Sequence, residues 1–399
     1  MIPIKKELWS FNTPAQFWLC QTDMPLVDLW QEAYQRSVYL LGLPKSQGDI
    51  EEILALTLGE ARFGPRHWQL NLFKKAYYTF KPAIPRYLIL RMRQLYNHVV
   101  INNSVIPWPI ESRYTQFLWN TIQQFMILSN KNSIVIKNLW PDNNRFAFVL
   151  THDIETKTGQ DFVKEVANLD ESLGFRSSFN FVPERYKLNY DLMNELRERG
   201  FEVGVHGLKH DGKLFDSHET FTCQAKQINH YIKTWGARGF RADMMFREPE
   251  WMQTLGIEYD LSFFDTDPFE PIPGGSMSIW PFFLGHFIEL PYTLAQDYTL
   301  VSLLNKTSPK IWLDKVDYIE KYHGMALLNS HPDYLKQKTT WNIYHQFLVA
   351  MRKRENYWHA LPHTVANWWK NRSTFNMNGN TNDLASVILD NEGIHITPY

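Results

Sequence analysis

From Arg145 onward the chain alternates between short apolar runs and segments whose apolar residues recur at helical spacing. Residues 146–150 are continuously apolar and run into Thr151, the pattern of a strand buried on both faces. Phe162, Val166, Leu169 and Leu173 then share one helical face, with Gly174 as a stop. Ser177, Phe179 and Phe181 alternate in strand fashion. A second helix closes over residues 194–200, and residues 201–205 read as the next strand. Phe221, Ala225, Ile228, Ile232 and Trp235 form another helical stripe, ended by Gly236. Shorter strands are predicted at 239–241, 287–290 and 325–329. Repeated strand–helix units predict a parallel sheet, either barrel or doubly wound, with functional groups at the C-terminal ends of its strands.

The flanks have a different texture. Residues 1–144 read as a mainly helical extension rich in Trp, Tyr and Leu, with breaks at Pro82-Ala83-Ile84-Pro85 and Pro107-Trp108-Pro109 and no catalytic constellation. Turn chemistry around residues 140–144 marks a boundary. Residues 145–340 carry the strand–helix units, and residues 341–399 return to helical texture before a small hairpin over 386–390 and 393–396. Hydrophobic residues make up 44% and aromatics 15% of the 399, which supplies a large core and argues against extended disorder. The 41 basic residues against 42 acidic ones give no general case for nucleic-acid or anionic-membrane binding. Cys20 and Cys223 sit in no metal spacing, and two buried free thiols are expected rather than a disulfide scaffold. Residues 1–7 lack the apolar stretch of a secretory signal, and no apolar run approaches the roughly 20 residues of a spanning helix. The expected place of work is therefore the cytoplasm, or the cytoplasmic face of a membrane.

Candidate chemistry clusters at the predicted strand ends. In Thr151-His152-Asp153-Ile154-Glu155 a period of two puts Asp153 and Glu155 on one side and His152 on the other. His206 and His210 are four apart, a spacing that on a helical turn clamps one metal from two sides. Two imidazoles and a carboxylate leave positions open for water and substrate. Arg241 ends the next strand, where a guanidinium can keep a carboxylate ionised. His331 follows the strand at 325–329, and an imidazole there suits proton delivery near neutral pH. Asp265 and Asp267 lie in an acidic loop in an aromatic setting, fit to bind sugar hydroxyls or to orient His331, although turn capping explains them nearly as well.

Together and in this order, the pieces resemble the NodB-homology domain of polysaccharide deacetylases (carbohydrate esterase family 4 and relatives) over residues 145–335. Residues 151–155 are similar to the family's T-F-D-D-G motif, His206 to His210 to its H-x-x-x-H motif, residues 239–241 to its arginine motif, and residues 327–331 to its late histidine motif. Leu290-Pro291-Tyr292-Thr293 is similar to a segment of divergent members from exopolysaccharide and lipopolysaccharide loci. The resemblance implies a distorted (β/α) barrel of the NodB-homology type and hydrolysis of an N-acetyl group on an amino sugar in a polysaccharide, oligosaccharide or glycan precursor. It implies a divalent metal, zinc first, with Asp153 as base, Arg241 keeping it ionised and His331 as acid. The usual adjacent Asp pair is here Asp153-x-Glu155. Glu155 then joins His206 and His210 as ligand, with Asp153 as the competing assignment. Ala242-Asp243 follow Arg241 where the family commonly has Pro. Tyr292, Asp265 and Asp267 are the expected substrate contacts. Two other readings stay open: another metal-dependent C–N hydrolase on the same fold, and an inactive carbohydrate-binding or assembly protein. The N-terminal extension could cover the barrel, form a homodimer or recruit a glycan-assembly partner.

Overall fold

The run that reads as a doubly buried strand is one: β2 (Phe146–Ile154) has all nine residues buried. In this computed structural model the described residues are 5–20, 27–43, 48–65, 67–70, 106–374 and 383–399, with positions 74, 88, 89, 91, 100 and 104 besides. The break expected at residues 82–85 lies outside them.

β2 organises the sheet. On one edge it pairs in parallel with β3 (Ser178–Phe181), which is followed side by side by β4 (Glu202–His206), β5 (Gly239–Arg241) and β6 (Tyr259–Asp260). β7 (Phe282–Leu284) and β8 (Phe287–Glu289) form a hairpin whose second strand pairs in parallel with β6. On its other edge β2 pairs with β9 (Met325–Ser330). Past β8, the amides of Thr293 and Leu294 each donate to the Leu327 carbonyl at 3.1 Å, and Leu294 bridges Leu328 in parallel. That contact curls the sheet back onto β9, and the fold is a distorted (β/α) barrel rather than an open doubly wound sheet.

The connecting helices follow their local signals. Lys157–Ser172 starts at Thr156, whose Oγ1 accepts from the Gly159 amide at 3.2 Å. His218–Trp235 buries the stripe Phe221, Ala225, Ile228, Ile232 and Trp235 and stops at Gly236, where φ is 63°. Cys223 lies off that stripe and is exposed, and Cys20 is half-buried, so the expectation of two buried thiols is corrected.

The flanks pack onto the barrel. Arg113–Leu128 lies against Val27–Ser37, and Trp119 stacks on Trp280 of the barrel with centroids 5.5 Å apart. Buried Glu60 pairs with buried Arg247 through two hydrogen bonds of 2.8 Å. Two strands, at residues 133–137 and 357–359, fall where helical texture was read, and the C-terminal hairpin forms where it was expected. β1 (Ser133–Lys137) joins the C-terminal hairpin of β11 (Leu384–Asp390) and β12 (Gly393–Pro398) in a separate sheet, and β10 (Tyr357–His359) pairs with the first residues of β2. A five-residue strand and a three-residue one are too short for periodicity to separate from helix. Among the described residues no helix is long and apolar enough to cross a membrane.

Candidate metal centre

The parallel strands β2, β4, β5 and β9 end at one mouth of the barrel, and this shared direction gathers the polar residues. Asp153, the penultimate residue of β2, is buried inside a ring of donors. Its Oδ1 accepts from Arg241 Nη1 at 3.0 Å and Asn180 Nδ2 at 3.1 Å, and its Oδ2 from Asn329 Nδ2 at 2.8 Å. Burial alone would raise this carboxyl. The Arg241 guanidinium, with His206, His331 and Asn329, overrides it and holds Asp153 well below the usual carboxylate range. Arg241 is itself fully buried, its Nε donating to the Leu261 carbonyl at 2.9 Å and its Nη1 also reaching Thr151 and Asn329.

His152, one residue earlier, points the other way. Its ring sits between Ser330 Oγ (2.8 Å) and Asp170 Oδ2 (3.1 Å) and is fully buried behind the strand. The period-two reading of this segment therefore holds, and His152 has no access to the mouth.

His206 ends β4. Its Nδ1 donates to the Arg241 carbonyl at 3.1 Å, which leaves the lone pair on Nε2. That nitrogen is buried without a hydrogen-bond partner. It lies 4.0 Å from Asp153 Oδ2. His210 comes back beside it, with ring centroids 5.0 Å apart, though not on a helical turn as the spacing suggested. Gly207 and His210 take φ of 56° and 52°, left-handed values that fold the segment into a tight loop. The Gly207 amide donates to the Arg241 carbonyl at 2.7 Å, and the Gly212 amide to Asp243 Oδ2 at 2.9 Å, which pins both ends.

Glu155 Oε1 lies 3.1 Å from His210 Nε2. Burial works to raise the Glu155 carboxyl, but His210, by charge and hydrogen bond, brings it well below its ordinary value. Burial likewise opposes charge on His210, and Glu155 outweighs it, so the net direction is upward. One donor atom from each of Glu155, His206 and His210 falls within 4.8 Å of the other two. An unpartnered buried imidazole nitrogen, a second imidazole and a carboxylate converging on one point fit a divalent metal.

His331 follows β9 and faces the same point from across the mouth. Its Nδ1 donates to Asp297 Oδ1 at 2.7 Å, and its backbone amide to Asp297 Oδ2 at 2.9 Å. Nε2 is left 3.7 Å from Glu155 Oε1 and 4.0 Å from Asp153 Oδ2. Burial would lower this imidazole, but Asp297, with Glu155 and Asp153, lifts it to about 10. At neutral pH Nε2 therefore carries a proton.

These groups line a cleft of about 730 Å³, walled by Met244, Met245, Phe269, Tyr298 and Tyr334. The acidic loop does not reach it. Asp265 is buried against Lys315 Nζ at 2.6 Å, and burial outweighs that ammonium to push its carboxyl up to about 7. Asp267 accepts from the Tyr292 hydroxyl at 2.9 Å, and that hydroxyl also reaches Glu270 Oε1 at 2.9 Å. Glu270 lines the cleft and Tyr292 stands behind it. All three expected substrate contacts are thus buried supports, and Asp297 rather than the 265–267 loop orients His331. Asn180, Asn329 and Asp297 are the site residues that motif reading left without a role. For Asn180 a signal existed: if Ser177, Phe179 and Phe181 face one way, Ser178 and Asn180 face the other.

No protein-family model matches the sequence, and no curated protein matches it. Solved structures do. A Mycobacterium smegmatis protein named as a polysaccharide deacetylase is 16% identical, with a TM-score of 0.49 over 59% of this chain and 94% of its own. The Puue allantoinase is 14% identical, with a TM-score of 0.46 over 60% of this chain and 95% of its own. The peptidoglycan deacetylase of Bacillus subtilis is 13% identical, with a TM-score of 0.38 over 58% and 96%.

Proposed function

We propose that the cleft removes N-acetyl groups from an amino sugar within a glycan or glycan precursor, by metal-assisted hydrolysis of the amide. The observation that carries this reading is His206 Nε2, buried, unpartnered and converging with Glu155 and His210 beside an ionised acid and a protonated imidazole. Glu155, His206 and His210 hold the metal, and the donor set suits zinc. When bound, the metal supplies Lewis-acid polarisation and an acidified water.

The protein's own groups supply the proton transfers. Asp153 Oδ1 is fully engaged by Arg241 and Asn180, so Oδ2 is the oxygen turned towards the centre, 4.0 Å from both His206 Nε2 and His331 Nε2. Asp153 Oδ2 accepts the proton of the attacking water. The guanidinium keeps the carboxylate charged and fixes its rotamer. His331 Nε2 gives its proton to the departing amine, and Asp297 stabilises the imidazolium until that moment. Acetate and a free amino sugar result.

The width of the cleft supports a glycan over a small cyclic amide. A volume of about 730 Å³ with Phe269, Tyr298 and Tyr334 along its walls takes a sugar ring and its neighbours, whereas a small ureide needs a closed pocket. Acetate release from a panel of N-acetylated glycans and lipid-linked sugars tests the assignment, with Asp153→Asn as the control. The wild-type protein should release acetate from at least one glycan and the variant from none. Equal release by both would remove Asp153 from the mechanism.

A further inference from the structure

Splitting the amide separates acetate from the sugar's amine, so the sugar ring lies on the side of the acid that protonates that amine. In the reaction proposed above that acid is His331, held by Asp297 Oδ1 at 2.7 Å. The residue next to Asp297, Gln296, lines the cleft and donates from Nε2 to Glu270 Oε1 at 2.6 Å. Glu270 also lines the cleft, and its Oε1 lies 2.9 Å from the Tyr292 hydroxyl. These contacts put a carboxylate, its rotamer fixed from behind, on the same side as His331. The chain before it is braced as well. The Phe269 amide donates to Asp267 Oδ1 at 2.7 Å, and the Phe269 ring meets Trp108 of the N-terminal region edge-on, with centroids 5.2 Å apart. Tyr334 lies 5.3 Å from the His331 ring and 5.1 Å from the Tyr298 ring, and both tyrosines line the cleft. The sugar side thus has aromatic faces and a fixed acceptor. Arg185, the only Lys or Arg among the described residues that line the cleft, stands instead against His210, 2.5 Å from its Nδ1.

We propose that Glu270 determines the substrate class: it accepts hydrogen bonds from hydroxyls of the amino sugar and excludes sugars that carry a carboxylate or phosphate there, so the substrate is an uncharged N-acetylated glycan. The inference rests on the deacetylase reading of the cleft, which it narrows. An ionised carboxylate accepts and does not donate, so it pairs with hydroxyls and not with a second anion. A sugar carboxylate beside Glu270 meets a like charge, and the one guanidinium of the cleft is engaged at His210. Aromatic walls with a few fixed polar groups are the means by which a ligand site sets orientation, and Tyr298, Tyr334 and Glu270 supply both. The buried Asp267 and Tyr292 then serve the substrate indirectly, by holding the residue that touches it.

The test uses the full zinc-loaded chain and two probes of equal length and linkage: an oligosaccharide of N-acetylglucosamine, and the same chain with its C6 hydroxymethyl groups oxidised to carboxylates. Wild-type kcat/KM for acetate release should favour the neutral chain by about tenfold or more, the scale of one hydrogen bond to a charged group. Glu270→Gln keeps the shape and removes the charge, so it should shrink that preference to within about threefold while the neutral chain's kcat changes little. Glu270→Ala should raise KM for the neutral chain about tenfold and leave kcat near wild type. Equal turnover of the two chains by the wild type, a preference that survives in Glu270→Gln, or an unchanged KM in Glu270→Ala would overturn the proposal and leave the deacetylase reading standing. A wild-type protein that releases acetate from neither chain, nor from any lipid-linked sugar, would overturn both.

Discussion

Replacing Arg241 with Met keeps much of the side chain's volume and removes the cation that the buried Asp153 depends on. In the folded chain Nη1 lies 3.0 Å from Asp153 Oδ1 and 3.0 Å from Thr151 Oγ1, and Nε donates to the Leu261 carbonyl at 2.9 Å. Both members of the pair are almost wholly buried, at 0% and 2% side-chain exposure, so water cannot take over. Deleting one partner of such a pair costs about 3–5 kcal/mol, because an uncompensated charge is left behind. The expected loss in unfolding free energy, from urea midpoints at a common slope, lies in that range. Asp153→Asn in the same background removes the stranded charge, and the double variant should recover most of the loss. The carboxyl also titrates differently. In the wild type its folded value lies below the unfolded one, so its stabilisation is present above about pH 3.9 and fades as pH falls below that. Without the guanidinium, burial is the dominant influence and the carboxyl rises, so the acid limb of acetate release should move to higher pH. An Arg241→Met protein within about 1 kcal/mol of wild type, or a double variant that loses the sum of the two single losses, would refute the argument. The guanidinium would then act by packing and not by charge.

Other outcomes follow from individual side chains. His331→Ala should depress turnover of an amide far more than that of an ester with a good leaving group, by about 10²–10⁴-fold on the amide, and equal losses on both would make His331 structural. Glu155→Ala should weaken metal binding while Asp153→Asn keeps it, and the reverse pattern would move the ligand role to Asp153. His323 is lowered to about 4, by burial first and then by Arg145, whereas the unfolded chain takes up this proton near 6.5. Between those values the unfolded state binds more protons, so stability should fall as pH drops from about 6.5 to about 4. His323→Asn, which tolerates the φ of 54°, should flatten that part of the stability curve, and an unchanged curve would contradict it.

The barrel was legible because its strands are buried on both faces, which makes 146–150 and 325–328 continuous apolar runs that no surface element would carry. The strand-end rule then located Asp153, His206, Arg241 and His331 together, since parallel strands must end at the same mouth. Depth was not legible. Asp265 and Asp267 have the composition of a sugar-binding loop, yet they serve Lys315 and Tyr292 beneath the cleft. Asp297 lies between strands in a segment with no periodicity, so nothing local marked it as the partner of His331. The His206–His210 loop shows the same limit: a spacing of four suits a helix, but two left-handed residues reach the same proximity by another route.

Metal content against activity tests the central claim most directly. The protein is stripped with a chelator, zinc is returned in steps, and acetate release is followed together with bound metal. Activity should be absent without metal and climb to a plateau at one zinc per chain, and His206→Ala should bind little and stay inactive. Full acetate release by the stripped protein, or near-stoichiometric zinc in His206→Ala, would contradict the account.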